Sequence, residues 1–217
     1  MRKLALAIAL FGVLASASAG PAAARVCPVP TSLTNDPPAN QVLSTFAVLR
    51  RAATPADSWP RTDLLPPDIS FNRGWFRLTG AIGGYRFFLL PGHKTTPCGS
   101  PPELFIGALG SISTVQGGAS LVHVKRYGEW IAQGSRAGSL VAGLLPDGVA
   151  KVTVTYPKWR GHPGGVNYKH AVSKTVRVRS NTALFELGRP PDDASSPTRQ
   201  VWFSKSGRVI RRAPGNP

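Results

Sequence analysis

The stretch Val149-Ala150-Lys151-Val152-Thr153-Val154-Thr155-Tyr156 alternates apolar and polar residues with a period of two. Val152, Val154 and Tyr156 fall on one side, and Lys151, Thr153 and Thr155 on the other. That is a strand with one buried face. Pro146-Asp147-Gly148, just before it, is a turn sequence between two apolar runs. Residues 172–179 repeat the pattern: Val172, Val176 and Val178 face one way, and Ser173, Thr175, Arg177 and Arg179 the other. If the two strands are neighbours, one sheet face is rich in hydroxyls and cations.

Working outward, nine further stretches read as strands: 75–80, 84–90, 103–109, 111–115, 119–126, 139–145, 182–187, 199–204 and 208–212. They are short, rich in β-branched and aromatic residues, and bounded by Gly, Pro, Asp and Asn. No long helical pattern follows residue 70. The chain therefore reads as mainly β, an antiparallel sandwich or barrel rather than an α/β fold. A break near residue 137 divides a β-rich unit (71–137) from a compact sandwich-like unit (138–212), with a tail at 213–217. Upstream, residues 20–70 read as a Pro-rich arm with one or two short helices. Val42, Phe46 and Leu49 have helical spacing within 41–52, with Asn40 as the expected N-cap. Thr54-Pro55-Ala56-Asp57 has a cap residue, a proline at the first helical position and an acid in the first turn. Residues 60–70 read as loop.

The 217 residues suffice for one large domain or two small ones, and 42% are hydrophobic, against wholesale disorder. Gly (23) and Pro (21) are abundant, which favours many turns and argues against a helical bundle. Met1-Arg2-Lys3, the apolar run Leu4–Leu14 and Ala17-Ser18-Ala19 form a secretory signal pattern over residues 1–19. The mature chain is expected to start near Gly20 or Arg25, outside the cytoplasm, secreted or associated with the cell envelope and without a transmembrane span. In that oxidising setting Cys27 and Cys98 most simply form a disulfide; two free thiols are the alternative.

Catalytic signatures are missing from the sequence. It has no G-x-S-x-G elbow, no S-x-x-K, no P-loop and no Rossmann glycine pattern. His93, His123, His162 and His170 fall into no metal-binding spacing, and the ten acids are scattered through turns. No catalytic residue, metal or cofactor is assigned. What stands out is charge: 26 Lys and Arg against 10 Asp and Glu, net +16, with the excess concentrated after residue 120. The loop 157–171 places Lys158, Arg160 and Lys169 beside Trp159 and Tyr168. Cations interleaved with aromatics suit polyanions or sugars.

Some blocks resemble a group of uncharacterised exported proteins of high-GC Gram-positive bacteria. They are Phe46-Ala47-Val48-Leu49-Arg50-Arg51 with Thr54-Pro55-Ala56-Asp57 and Pro60, and the hairpin from Val141 through Pro146-Asp147-Gly148 to Val154. Tyr85–Gly92, Asn181–Leu187, Val201-Trp202 and Gly207-Arg208-Val209-Ile210 are similar to other strands of that group. The resemblance implies an exported protein with an Ig-like or similar β unit at the C-terminus, and transfers no activity. The expectation is a non-enzymatic protein binding an anionic envelope polymer or an anionic lipid surface, with nucleic acid less favoured. Lys158, Arg160, Lys169, Arg177 and Arg179 would pair with anionic groups, and Trp159 and Tyr168 would stack. Two other readings stay open. One is a secreted hydrolase with His162 or His170 beside an acid such as Glu129; the other is a sheet-edge protein–protein module.

Overall fold

The structure is a computed structural model that describes residues 32–67, 69–94, 101–135, 138–158, 170–188 and 197–214. The signal segment, Cys27, Cys98, Trp159, Arg160, His162, Tyr168 and Lys169 lie outside these residues. In chain order the elements are β1 (Ser32–Thr34), α1 (Asn40–Thr45), α2 (Ala47–Arg50), β2 (Ile69–Asn72), β3 (Arg77–Ile82), β4 (Tyr85–Lys94), β5 (Pro102–Leu109) and β6 (Thr114–Ser120). Then follow α3 (Leu121–Tyr127), β7 (Glu129–Ser135), β8 (Gly138–Leu144), β9 (Lys151–Tyr156), β10 (Val172–Arg179), β11 (Thr182–Leu187), β12 (Arg199–Phe203) and β13 (Val209–Pro214). The protein is mainly β, as expected from the alternation.

Several local expectations change. The stretch 119–126 is not a strand but, for the most part, the helix α3. The Ser120 hydroxyl accepts the His123 N–H at 3.2 Å, and Gly128 at φ 71° closes the helix by donating to the Val124 carbonyl. Leu121 and Val124, one helical turn apart, are its buried residues. Caps at both ends outweigh the β-branched composition. Ile69–Asn72, partly inside the expected loop 60–70, is a strand buried along its whole length, and β7 is a strand outside the expected set. The helix expected over 41–52 breaks at Phe46, which takes an extended conformation. Ala39, rather than Asn40, holds the N-cap position of α1.

The first sheet has the order β1-β2-β4-β5-β6, with β3 also paired to β4; the second runs β13-β12-β9-β10-β11-β8-β7. β1 pairs with β2 in parallel, and the other pairings are antiparallel. Trp130 on β7 and Trp202 on β12 share one core, although five ladder steps separate their strands. A flat sheet would hold them roughly 24 Å apart. The second sheet therefore folds over at the β10–β11 hairpin, where only Val178–Ala183 and Arg179–Thr182 pair. Ser180 and Asn181 make that two-residue turn at φ 48° and 64°. The result is a sandwich, β7-β8-β11 against β13-β12-β9-β10. The other side of β7-β8-β11 packs Ile131, Leu140, Ala142 and Leu144 against Phe87, Leu89, Leu104 and Ile106 of the first sheet. β8 is consequently apolar on both faces, and Gly143 leaves room for the Trp130 ring.

The break at Phe46 has a tertiary cause. The Ala47 N–H donates to Asp147 Oδ1 (2.7 Å) and the Val48 N–H to Asn181 Oδ1 (3.0 Å), so the first donors of α2 are capped from 100 and 133 residues away. Arg50 pairs with the other Asp147 oxygen at 2.7 Å. Asn181 Nδ2 donates to the Leu145 carbonyl and to Asp147 Oδ1. This clasp joins α2, the 146–148 turn and the β10–β11 turn. Asn181→Ala removes all three side-chain bonds, leaves the Val48 N–H and Leu145 carbonyl without them, and puts a Cβ residue that cannot hydrogen-bond locally at positive φ. The expected loss is about 2–4 kcal/mol, read as a lower urea midpoint at unchanged m-value. Asn181→Gly, which tolerates the dihedral, should lose less.

Candidate functional site

The outer layer, β13-β12-β9-β10, concentrates the charge. Residues 149–158, 170–180 and 197–214 carry Lys151, Lys158, Lys174, Arg177, Arg179, Arg199, Lys205, Arg208, Arg211 and Arg212, and no Asp or Glu. Among the described residues none of these ten cations forms a salt bridge.

The register sorts them. Val152, Val154 and Trp202 point into the sandwich core, so the residues between them point outward. One outward row joins Arg177, Lys151 and Phe203 across β10, β9 and β12; the next joins Thr175, Thr153, Val201 and, on β13, Arg212; the third joins Ser173, Thr155 and Arg199. The hydroxyls of Thr153 and Thr175 bond at 2.8 Å, and Thr155 bonds Ser173 at 2.9 Å. The face is thus the hydroxyl-rich, cationic surface expected from the alternation. Lys151 Nζ sits 4.6 Å from the centre of the Phe203 ring, and Arg211 stacks on Trp202 at 5.5 Å. Arg177 lies directly opposite Lys151, a like-charge pair that costs stability unless an anion bridges it.

Of the expected binding residues, Arg177 and Arg179 are exposed on this layer. Lys158 is exposed two residues past the end of β9, beside the Tyr156–Val172 pair. Lys151, Arg199 and Arg212 belong to the face but not to the expected set. The alternation of β9 already places Lys151 on the polar side, whereas Arg199 and Arg212 join it only through the β9–β12 and β12–β13 registers.

A second arrangement lies elsewhere. A shallow depression of about 300 Å³ is lined by Gly117, Gly118, Ala119, Ser120, His123 and Glu129. His123 Nε2 stands 3.9 Å from Glu129 Oε2, too far for a hydrogen bond, and that nitrogen is buried without a hydrogen-bond partner among the described residues. Burial raises the Glu129 carboxyl to about 7. Gly117 and Gly118, at φ 101° and 100°, take a backbone conformation that favours glycine and carry the chain past Glu129 and Glu103. The imidazole beside Glu129 is therefore His123, a helix residue rather than the strand residue expected. His170, one of the two histidines expected near an acid, lies beyond β9, just before the start of β10. Among the described residues no group of three His, Cys, Asp or Glu could hold a metal ion.

Glu129 links this depression to stability. Its folded pKa lies above the unfolded value near 4.3, so the native state holds the extra proton between about pH 4.3 and 7. Stability contributed at this site is full below that window and falls as pH rises through it. Glu129→Gln should remove that slope and be more stable than wild type at pH 8, by up to about 3 kcal/mol. Urea titrations at pH 4.5 and 8 measure both.

No family model, no curated protein and no solved structure matches the chain. Among the described residues no helix is long and apolar enough to cross a membrane.

Proposed function

We propose that this is an exported, non-enzymatic β-rich protein that binds an anionic polymer of the cell envelope through its outer sheet layer. The carrying observation is a four-stranded layer whose described residues, flanking turns included, carry ten Lys and Arg and no carboxylate. A surface with interspersed charges would pair its own cations; among the described residues this one pairs none of them with a carboxylate. Its rows of cations, hydroxyls and part-buried Val201 and Phe203 suit an extended polymer with repeated anionic groups and an apolar or sugar backbone between them. Lys158, exposed just past the end of β9, belongs to the same surface, while Trp159, Arg160, Tyr168 and Lys169, expected to bind with it, lie outside the described residues. The strand order supports an Ig-like assignment, since three strands face four in a two-sheet sandwich. The test is retention of residues 20–217 on purified envelope and on an anionic polymer column, beside a basic protein of equal net charge. Retention on envelope at salt that elutes the control supports the reading; co-elution rejects it.

The depression at Glu129 favours one second reading, a secreted hydrolase. A carboxyl that stays half-protonated near pH 7 beside an imidazole it does not hydrogen-bond suits general acid–base work. Turnover of a chromogenic ester or glycoside that Glu129→Gln abolishes would replace the binding reading with this one.

A further inference from the structure

A cavity of about 320 Å³ lies between the turn Thr54–Trp59 and the turn Arg73–Arg77, on the first-sheet side of the molecule. Its hydrogen-bonding capacity is lopsided. The only carboxylate among its lining residues, Asp57, is spent. It accepts two bonds from Arg51 (2.5 and 2.7 Å), one each from the Thr54 and Leu78 N–H groups (2.7 Å), and one from the Thr54 hydroxyl. A carboxylate has about four lone-pair sites, so nothing is left for a cation.

The donor side is not spent. Arg77 is only 4% exposed, and Arg51 already occupies its nearest carboxylate. It holds the Gly74 and Phe76 carbonyls at 3.0 and 2.8 Å and reaches the Arg51 carbonyl at 3.4 Å, while its Nε–H has no partner among the described residues. Burial pulls the Arg77 guanidinium below its ordinary value, the expected response of a buried cation short of counter-charge. Arg73, exposed at the rim, forms no salt bridge among the described residues, and Asn35 and Ser58 bring further donors. The Trp59 and Phe76 rings give the wall apolar surface.

We propose that this cavity binds the oxyanion group of a small molecule, a carboxylate or a phosphate, through Arg73 and Arg77. The excess of donors over acceptors selects an anion, and the aromatic wall suits a ligand body beyond the anionic group. The site stands apart from the outer layer and does not depend on its function.

The test is an amide chemical-shift titration of the folded protein with inorganic phosphate and, separately, with benzoate, in a background carrying Arg177→Ala and Arg179→Ala. The expected result is saturable shifts at Thr54, Ser58 and Arg73–Arg77 at about 1–10 mM, weakened about tenfold or more by Arg73→Ala. Saturation by benzoate alone assigns carboxylate ligands; saturation by phosphate alone assigns phosphate esters. Arg77→Met strips three carbonyls of their donor and puts the turn itself at risk. Ser58→Phe, which narrows the mouth, is therefore the second variant and should also abolish the shifts. No saturation with either anion, or saturation unchanged by Arg73→Ala, overturns the proposal.

Discussion

Asp57→Ala is expected to be the most destabilising single substitution at a polar residue, costing about 3–5 kcal/mol. Asp57 is 5% exposed and collects five donors: the Arg51 fork, the Thr54 and Leu78 amides and the Thr54 hydroxyl. Removing it strands the Arg51 charge, uncaps the Pro55–Asp57 turn and frees the Leu78 N–H at the edge of β3. It also leaves Arg77 with no acid nearby. Burial by itself raises the Asp57 carboxyl, but the Arg51 guanidinium and the amide bonds together hold it well below the usual carboxylate range. The native state thus holds fewer protons at this site than the unfolded state does. Its contribution is complete above about pH 4 and is lost as pH falls further. Asp57→Asn should flatten the stability profile below pH 4 and leave its slope between pH 5 and 7, which belongs to Glu129, unchanged. Guanidinium titrations of both variants across that range measure the two windows separately.

The second large effect is on binding. Neutralising Lys151, Arg177, Arg199 and Arg212, the four cations of the outward rows, together with Arg179, exposed two residues further along β10, leaves the sandwich core untouched. Each cation that pairs with a phosphate-like group accounts for about 0.7–0.9 of the slope of log K against log salt, so neutralising five should lower the slope by about 4. At low salt that corresponds to a loss of two or more powers of ten in affinity. Stability should rise slightly or stay level, because the Arg177–Lys151 repulsion disappears.

Much of this architecture is legible in the sequence, for local reasons. The polar–apolar alternation of 149–156 and 172–179 needs no partner to be read, and both strands follow it. The capping box at Thr54–Asp57 is a local signal, and it forms as a 3-10 turn. What escapes depends on distant groups. Nothing near Phe46 announces a break, because Asp147 and Asn181 supply the caps. The three segments Phe46–Arg51, Pro146–Gly148 and Asn181, far apart in sequence, meet in that clasp. α3 is hidden by its β-branched residues, although Ser120 and Gly128 are both visible as caps. The charge is legible as an amount, but its segregation into one acid-free layer depends on the β12–β13 hairpin joining β9. The His123–Glu129 pair is not legible, since it requires His123 to sit on a helix that turns back over the start of β7.

The most direct test of the central claim compares salt slopes for three proteins on the same anionic polymer: wild type, the five-residue outer-layer variant, and a variant of equal net charge neutralised at Arg61, Arg86, Lys94, Lys125 and Arg126 instead. The account predicts that the outer-layer variant loses about 4 from the slope while the matched variant keeps nearly all of it. Equal losses in the two variants would show that binding follows net charge alone, and would contradict the assignment of the outer layer as the binding face.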